Sequence, residues 1–427
     1  MSLAENKNPI VKRIVVLCKM QLLSPALVGS GEEEYTARDV YVDAKGNPVL
    51  PGTSLAGVLR NVLDINDAAA LFGSLIDKKE DEKTNKASPL WVYDAPLYTK
   101  DSDEVAKIIT IDNVRLEDEE KIAASTGKFD FQAVDRGSRF DLRLQLIIRR
   151  QKEESEANLE ALLDGLLEKL NYLYIGGKTS RGFGKLVCVD IYKQVFYNDP
   201  TDLKAWLNFN WHDESNYFKY MPQKPNENGK ICAILKLNGT LLIRDDYSVI
   251  EDEETAQITS DGIPVIYGTS WAGAIRGGLN RFLKKQNCKA YFDKIFGCSE
   301  PETSPSKIRI DASYFGSDKR HNVTRVKIDR WTGGAVKGAL FTSRPQFGGS
   351  VRLTIYYPPK DEAIRQLIIL ALQAIDLGII TVGGETSVGR GVFKVKKICI
   401  NGEVKDKCAL FKEKKDALKL ELGRAEQ

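Results

Sequence analysis

Residues Asp39 to Arg60 (DVYVDAKGNPVLPGTSLAGVLR) recur as Thr255 to Arg276 (TAQITSDGIPVIYGTSWAGAIR) with no gap, at a constant offset of 216 and with nine of 22 positions identical. Two further matches follow in the same order. Leu71-Phe72-Gly73 is echoed by Ile295-Phe296-Gly297, and the run Gly176 to Gly184 (GGKTSRGFG) by Gly383 to Gly391 (GGETSVGRG). Three ordered matches mean that one domain is used twice, and 427 residues leave about 200 for each copy. A solenoid repeats every ~20–50 residues, so this period excludes one.

Each copy has the same run of elements. An apolar, β-branched stretch comes first (Ile14 to Leu23; Ile231 to Ile243) and predicts a strand. After Gly-Thr-Ser comes a helix with apolar residues at Leu55, Val58, Leu59, Val62 and Leu63, repeated as Trp271, Ala274, Ile275, Leu279 and Phe282. The Thr-Ser pair is expected to cap it. A second helix is marked by Leu159, Leu162, Leu163, Leu166, Leu167 and Leu170, and by Ile364, Leu367, Ile368, Ala371, Leu372 and Ile375 at the same spacing. Strands are expected at Asp141 to Arg149 and Ser350 to Tyr357, and closing strands at Lys185 to Tyr192 and Val392 to Ile400. This order predicts an α+β fold of two tandem ferredoxin-like domains, at 1–195 and 230–400. The Asp-, Asn- and Pro-rich stretch 196–229 is expected to link them. A charged helical tail is expected at 401–427, and a solvated loop at Asp77 to Ser88.

Composition removes several function classes. The chain carries 62 basic and 59 acidic residues, so a polyanion site must come from local clustering. Seven cysteines show no C-x-x-C spacing and an odd count, which points to reduced thiols and gives no zinc site. With only His212 and His321 present, paired-histidine chemistry is poorly provided for. The most apolar stretch, Leu367 to Val382, contains Gln373 and Asp376 and reads as a buried helix, so no membrane partner is expected. Together with the absence of an export pattern, this suggests a cytoplasmic protein.

Three motifs point to polyanion binding. Gly177-Lys178-Thr179 resembles the end of a P-loop, but the first glycine of that pattern falls on Tyr172, and the second copy has Glu385 in place of the lysine. Nucleotide hydrolysis is therefore disfavoured. The glycines either allow a tight turn into the last strand or bring amides and hydroxyls to a phosphate backbone. On the second reading the contacts are Gly176, Gly177, Lys178, Thr179, Ser180 and Arg181, with Gly383, Gly384, Thr386, Ser387 and Arg390. The Gly-Thr-Ser helix starts would add Thr53, Ser54 and Arg60 with Thr269, Ser270 and Arg276, because a helix N-terminus favours anions. From Phe315 to Arg352, eight basic residues face only Asp318 and Asp329, with Trp331, Phe341 and Phe347 interleaved. His321, Arg325, Lys327 and Arg330 suit RNA there, although a solvated surface would have the same composition. The first copy's counterpart, Val114 to Phe140, also holds Glu117, Asp118, Glu119 and Glu120 and is electrostatically weaker.

The run PGTSLAGVLR followed by LFG, the segment NVTRVKIDRWTGGAVKGALF from Asn322, and GGKTSRGFG resemble the RAMP superfamily of CRISPR effector backbone subunits. Within that family the chain most resembles a Csm/Cmr-like type III subunit in fused, tandem form, as in type III-D systems. That resemblance implies a modified ferredoxin-like or RRM-type fold gripping CRISPR RNA, with the second copy's basic segment as a thumb hairpin wedged into the duplex with complementary target RNA. It implies other type III effector subunits as partners. It also implies a catalytic aspartate in the loop Gly29 to Pro51, with Asp39 the matching residue and Asp43 and Glu32 to Glu34 as rivals. Cleavage of target RNA would be supported by a divalent ion, Mg2+ in expectation, whose ligands are unknown. At the constant offset the second copy has Thr255 at the aspartate's place, with Glu253 and Glu254 nearby, so one active and one silent site are expected. The alternative is that the same complex uses this chain as an RNA-binding scaffold without chemistry.

Overall fold

The computed structural model describes residues 9–29, 31, 39–73, 87–98, 107–116, 123–150, 153–213, 215, 217–220, 228–245, 255–283, 288–298 and 304–424. The loop expected at 77–88 lies outside these apart from Ala87 and Ser88, as do Glu32 to Glu34, Glu117 to Glu120, Glu253 and Glu254. The chain forms two compact units. Unit 1 comprises residues 1–109, 132–177 and 184–225; unit 2 comprises 110–131, 178–183 and 226–427. Two segments of the first repeat, one from a hairpin and one from its glycine-rich loop, thus group with unit 2 rather than with the domain 1–195.

The first repeat runs β1 (Ile10–Leu22), β2 (Val49–Leu50), α1 (Gly52–Asn61), α2 (Ile65–Phe72), β3 (Leu90–Val92), β4 (Ala95–Pro96), β5 (Ile108–Leu116), β6 (Ala123–Val134), β7 (Arg139–Arg149), α3 (Glu153–Glu168), β8 (Leu173–Tyr174) and β9 (Lys185–Tyr197). After α4 (Pro200–Leu207) and β10 (Phe218–Tyr220), the second opens with β11 (Lys230–Asn238), β12 (Thr240–Leu241), β13 (Arg244–Asp245), β14 (Thr255–Gln257), β15 (Thr259–Ser260), β16 (Ile263–Ile266), α5 (Gly268–Leu283) and α6 (Cys288–Phe296). It continues with β17 (Arg309–Ile310), β18 (Ser313–Tyr314), β19 (Val323–Ile328), β20 (Ala335–Arg344), β21 (Gln346–Phe347), β22 (Ser350–Tyr356), α7 (Glu362–Leu377), β23 (Val392–Ile400) and β24 (Glu403–Lys405). The tail carries α8 (Lys407–Lys412) and α9 (Asp416–Arg424).

The mixed α and β tandem architecture expected from the repeat is present, and the copies agree in register. The strand order β9-β1-β7-β3 in unit 1 matches β23-β11-β22-β17 in unit 2, with antiparallel neighbours throughout. The α7 stripe reads directly from its spacing: Ile364, Leu367, Ile368, Ala371, Leu372 and Ile375 are all buried in the core that β11 and β23 also line. Each large apolar side chain so buried contributes about 1.5–3 kcal/mol.

The stretch expected as a linker, 196–229, is structured where it is described. Asp199 caps α4, accepting from the amides of Thr201 and Asp202, with Pro200 in the first turn, and β10 pairs with β9. Trp206, Phe209, Trp211 and Tyr217 pack on Val15, Leu17 and Phe196, on the opposite side of β1 from Ile14, Val16 and Cys18. The Arg13 and Arg143 guanidiniums lie over Trp206 and Trp211 at 5.2 and 6.0 Å. In an RRM-type sheet this face would be open to stack bases; here aromatic rings cover it.

Candidate nucleic-acid interface

β19 and β20 pair antiparallel as a hairpin whose residues are mostly solvent-exposed. Trp331 is 92% exposed at its tip, and Val326, Ile328, Leu340 and Phe341 are each at least 45% exposed. So many exposed apolar side chains on one hairpin mark a contact surface. Arg325, Lys327, Arg330 and Lys337 lie among them. The Asp329 carboxylate shapes the tip by accepting from the Trp331 and Thr332 amides and the Thr332 hydroxyl, which holds its carboxyl below the usual 3.8. Asp318 is similarly engaged with Arg320 through contacts of 2.9 and 2.8 Å, so that arginine is neutralised. His321 is exposed and packs its ring on Phe347 at 5.6 Å.

The glycine-rich loops have the same internal geometry in both copies. Gly177 and Gly384 donate to Leu27 and Leu242, and Gly184 and Gly391 to Pro25 and Thr240. A Cβ at Gly184 would lie 1.8 Å from the Ile175 carbonyl oxygen, and one at Gly391 1.8 Å from that of Val382, both at positive φ. Tight-turn geometry therefore accounts for these glycines, and the amides of Gly177, Arg181, Gly182 and Gly184 are already used within the fold. Gly176 and Gly383 are likewise set by close approach to the Leu27 and Leu242 carbonyls. Thr179, Ser180 and Thr386 are half-buried, and Ser387 is exposed.

The αL position between these glycines anchors the hairpins. Lys178 places its Nζ 4.5 and 4.8 Å from the Phe129 and Phe131 rings on β6. In the second loop Glu385 accepts from Arg325 Nη1 at 2.9 Å, with Arg390 Nε at 3.3 Å and Arg244 Nη2 at 4.0 Å. Three cations thus converge on one carboxylate.

Several expected contacts fall elsewhere. Arg390 is 2% exposed and bonded to Ser343 Oγ, so it is no surface phosphate ligand; burial and the neighbouring Arg325 and Arg244 lower its pKa against the opposing pull of Glu385. Arg181 donates to the Phe296 carbonyl at 2.6 Å, and burial with the nearby Arg276 charge brings its pKa down to about 10. Arg60 and Arg276 bond the Gly73 and Gly297 carbonyls, closing the end of the Phe-Gly motif, and Arg276 also pairs with Asp293. The Thr-Ser pairs are not caps. Pro51 is the N-cap of α1, which leaves Thr53 and Ser54 in the first turn, and Asp94 Oδ1 accepts from Gly52 N at 2.7 Å. That carboxylate already occupies the helix end where a phosphate was expected. In unit 2 the amides of Ser270 and Trp271 point to Tyr267 O, Thr269 is half-buried, and the Arg181 and Ile310 carbonyls abut Gly268. Side-chain burial of an arginine depends on tertiary partners that a linear pattern does not reveal.

Asp39 is 7% exposed, directly before the Val40–Gly29 bridge. The rival Asp43 is exposed and engaged in a turn, accepting from the Lys45 and Asn47 amides. The hydrogen bonds also shift the expected correspondence between copies. Tyr41 donates to Val28 and Ile258 to Ile243, while Val49 donates to Tyr41 and Val265 to Ile258. Tyr41 therefore matches Ile258, and the counterpart of Asp39 is the buried Ala256 rather than Thr255. Among the described residues no three His, Cys, Asp or Glu side chains gather to hold a metal ion, and Glu32 to Glu34 of the 29–51 loop lie outside those residues. Among the described residues no helix is long and apolar enough to cross a membrane.

A family model for the RAMP superfamily matches residues 19–187 and again 235–394. The chain is also similar to the CRISPR system Cms endoribonuclease Csm3 of Streptococcus thermophilus, with 28% identity over 155 residues, 33% of this chain and 68% of that protein.

Proposed function

This chain belongs to the RAMP superfamily in both of its halves, and from that premise we propose that it is a backbone subunit of a CRISPR type III effector, holding CRISPR RNA along its phosphates and supporting cleavage of the paired target RNA. The exposed β19–β20 hairpin carries this reading: Arg325, Lys327 and Arg330 are on the same hairpin as a tip tryptophan that is 92% exposed. Cations for phosphates and a flat ring for an unstacked base are what single-stranded or splayed RNA requires. The partners are CRISPR RNA, complementary target RNA and the other subunits of the effector.

Cleavage is assigned to the first repeat. The target's 2′-hydroxyl attacks the adjacent phosphorus, its proton passes to a base, and the P–O5′ bond breaks with protonation of the leaving oxygen. The products are a 2′,3′-cyclic phosphate and a 5′-hydroxyl. Asp39 is the carboxylate assigned to this step: among the described residues Asp43 is occupied by its turn, and the second repeat has Ala256 at the position matching Asp39. Such a base typically contributes ~10²–10⁴-fold. The burial of Asp39 favours a second reading, in which the chain is a scaffold without chemistry. Assembled complexes carrying Asp39→Ala distinguish the two: loss of one target-cleavage product with guide and target binding unchanged supports cleavage, and an unaltered product ladder leaves the scaffold.

A further inference from the structure

Each unit has a cleft at the start of its first helix, and among the described residues only that of unit 2 is filled. There the start of α5 at Gly268, the Phe296 carbonyl and the strand end at Ile310 surround Arg181 and Gly182, which belong to the same unit. Arg181 Nη2 donates to Phe296 O at 2.6 Å. A Cβ at Gly182 would come within 2.6 Å of Ile310 O, and one at Gly268 within 2.2 Å of Arg181 O, so both glycines are set by this fit.

In unit 1 the corresponding walls, Gly52, Phe72 and Val92, bound an open cleft of about 300 Å³. The correspondence holds bond by bond. Ser88 Oγ lies 3.0 Å from Leu71 O and 2.6 Å from Leu90 O; Ser306 Oγ lies 3.0 Å from Ile295 O and 2.7 Å from Ile308 O. Tyr93 N donates to Arg143 O as Asp311 N does to Thr354 O. Asp94 stands where unit 2 has Ala312 and accepts from the Gly52 amide at 2.7 Å, and Arg60 lines the cleft as Arg276 lies near Arg181 in unit 2.

We propose that the α1 cleft of unit 1 is a docking site for the glycine-rich loop of another RAMP-type subunit, one with an arginine at the position that Arg181 holds here. The guest guanidinium donates to the Phe72 carbonyl, and the glycine after it packs on Val92. A second copy of this chain is not the donor. Its own Arg181 is committed within unit 2, and its other loop places Val388, 62% exposed, at that position. The chain therefore ends a row of like subunits or joins an unlike one, and does not polymerise with itself through this joint. Only the nature of the donor rests on the effector-subunit reading.

The test uses the full chain and a peptide with the sequence of residues 174–185, bearing a photoreactive group at the threonine, beside the same peptide with valine in place of arginine. The arginine peptide should label residues 52–92 at least tenfold more than the valine peptide. Gly57→Trp, which lines the cleft at a position with no atom near its Cβ, should abolish that labelling and leave RNA affinity unchanged. No labelling, equal labelling by both peptides, or labelling undiminished in Gly57→Trp would overturn the proposal. RNA affinity measured on the same wild-type samples separates the two ideas: labelling without RNA binding sinks the RNA reading alone.

Discussion

Lys178 and Glu385 occupy the same left-handed position in the two glycine-rich loops, with φ of 57° and 52°, yet the lysine lies over phenylalanine rings and the glutamate gathers arginines. Each side chain ties its loop to a hairpin residue, Phe129 in one case and Arg325 in the other. The duplication thus preserves the geometry of this position while reversing its charge.

That reversal has a consequence for binding. Glu385 neutralises part of the positive field of Arg325 and Arg244, both partly exposed. Glu385→Gln should raise RNA affinity about fivefold at low salt, the equivalent of ~1 kcal/mol for a partly exposed pair, and steepen the log–log salt dependence by about 0.7 for one added phosphate. Filter binding over a salt series measures both, and an unchanged or lowered affinity would refute the role of Glu385 as a competing anion.

Substitutions in the loops should separate folding from RNA binding. Gly184→Ala and Gly391→Ala each place a Cβ 1.8 Å from a carbonyl oxygen at positive φ, and each should cost about 1–3 kcal/mol or more. Ser387→Ala, on an exposed side chain, should leave the melting temperature unchanged and weaken RNA binding. Thermal melts run beside RNA titrations check this; a lowered melting temperature in Ser387→Ala would reverse the assignment.

The hairpin tip should respond to acid. Hydrogen bonds from Thr332 and Trp331 hold the Asp329 carboxyl below 3.8 in the folded chain. Because the folded value is lower than the unfolded one, the contribution of these bonds is complete above 3.8 and is lost as pH falls through the folded value. Amide resonances of Trp331 and Thr332 should shift in that window, and Asp329→Asn should erase the shift. Resonances that follow only global unfolding would contradict this.

Much of the fold was legible because it rests on local periodicity. The spacing of Ile364, Leu367, Ile368, Ala371, Leu372 and Ile375 is that of a buried stripe, and the repeat located the long paired strands of both copies. What stayed hidden depended on long-range partners. Arg181 and Arg390 look like phosphate ligands in sequence, and their burial is set by Phe296 and by Ser343 with Glu385. The segment 199–220 has the composition of a loop, although Asp199-Pro200 before an aromatic-bearing stretch is a helix-start signal that could have been weighed. The register shift at Asp39 shows only in hydrogen bonds, because the turn it precedes is one residue longer than its counterpart.

A grip on RNA through phosphates by the unit 2 hairpin is tested by the salt dependence of RNA affinity in wild type and in the charge-reversed Arg325→Glu/Lys327→Glu/Arg330→Glu chain. Wild type should show a steep linear fall of log K with log salt, and the variant should bind more weakly, with a slope shallower by about 2 because three phosphates are no longer neutralised. Equal slopes and affinities, or an affinity indifferent to salt in wild type, would contradict the account.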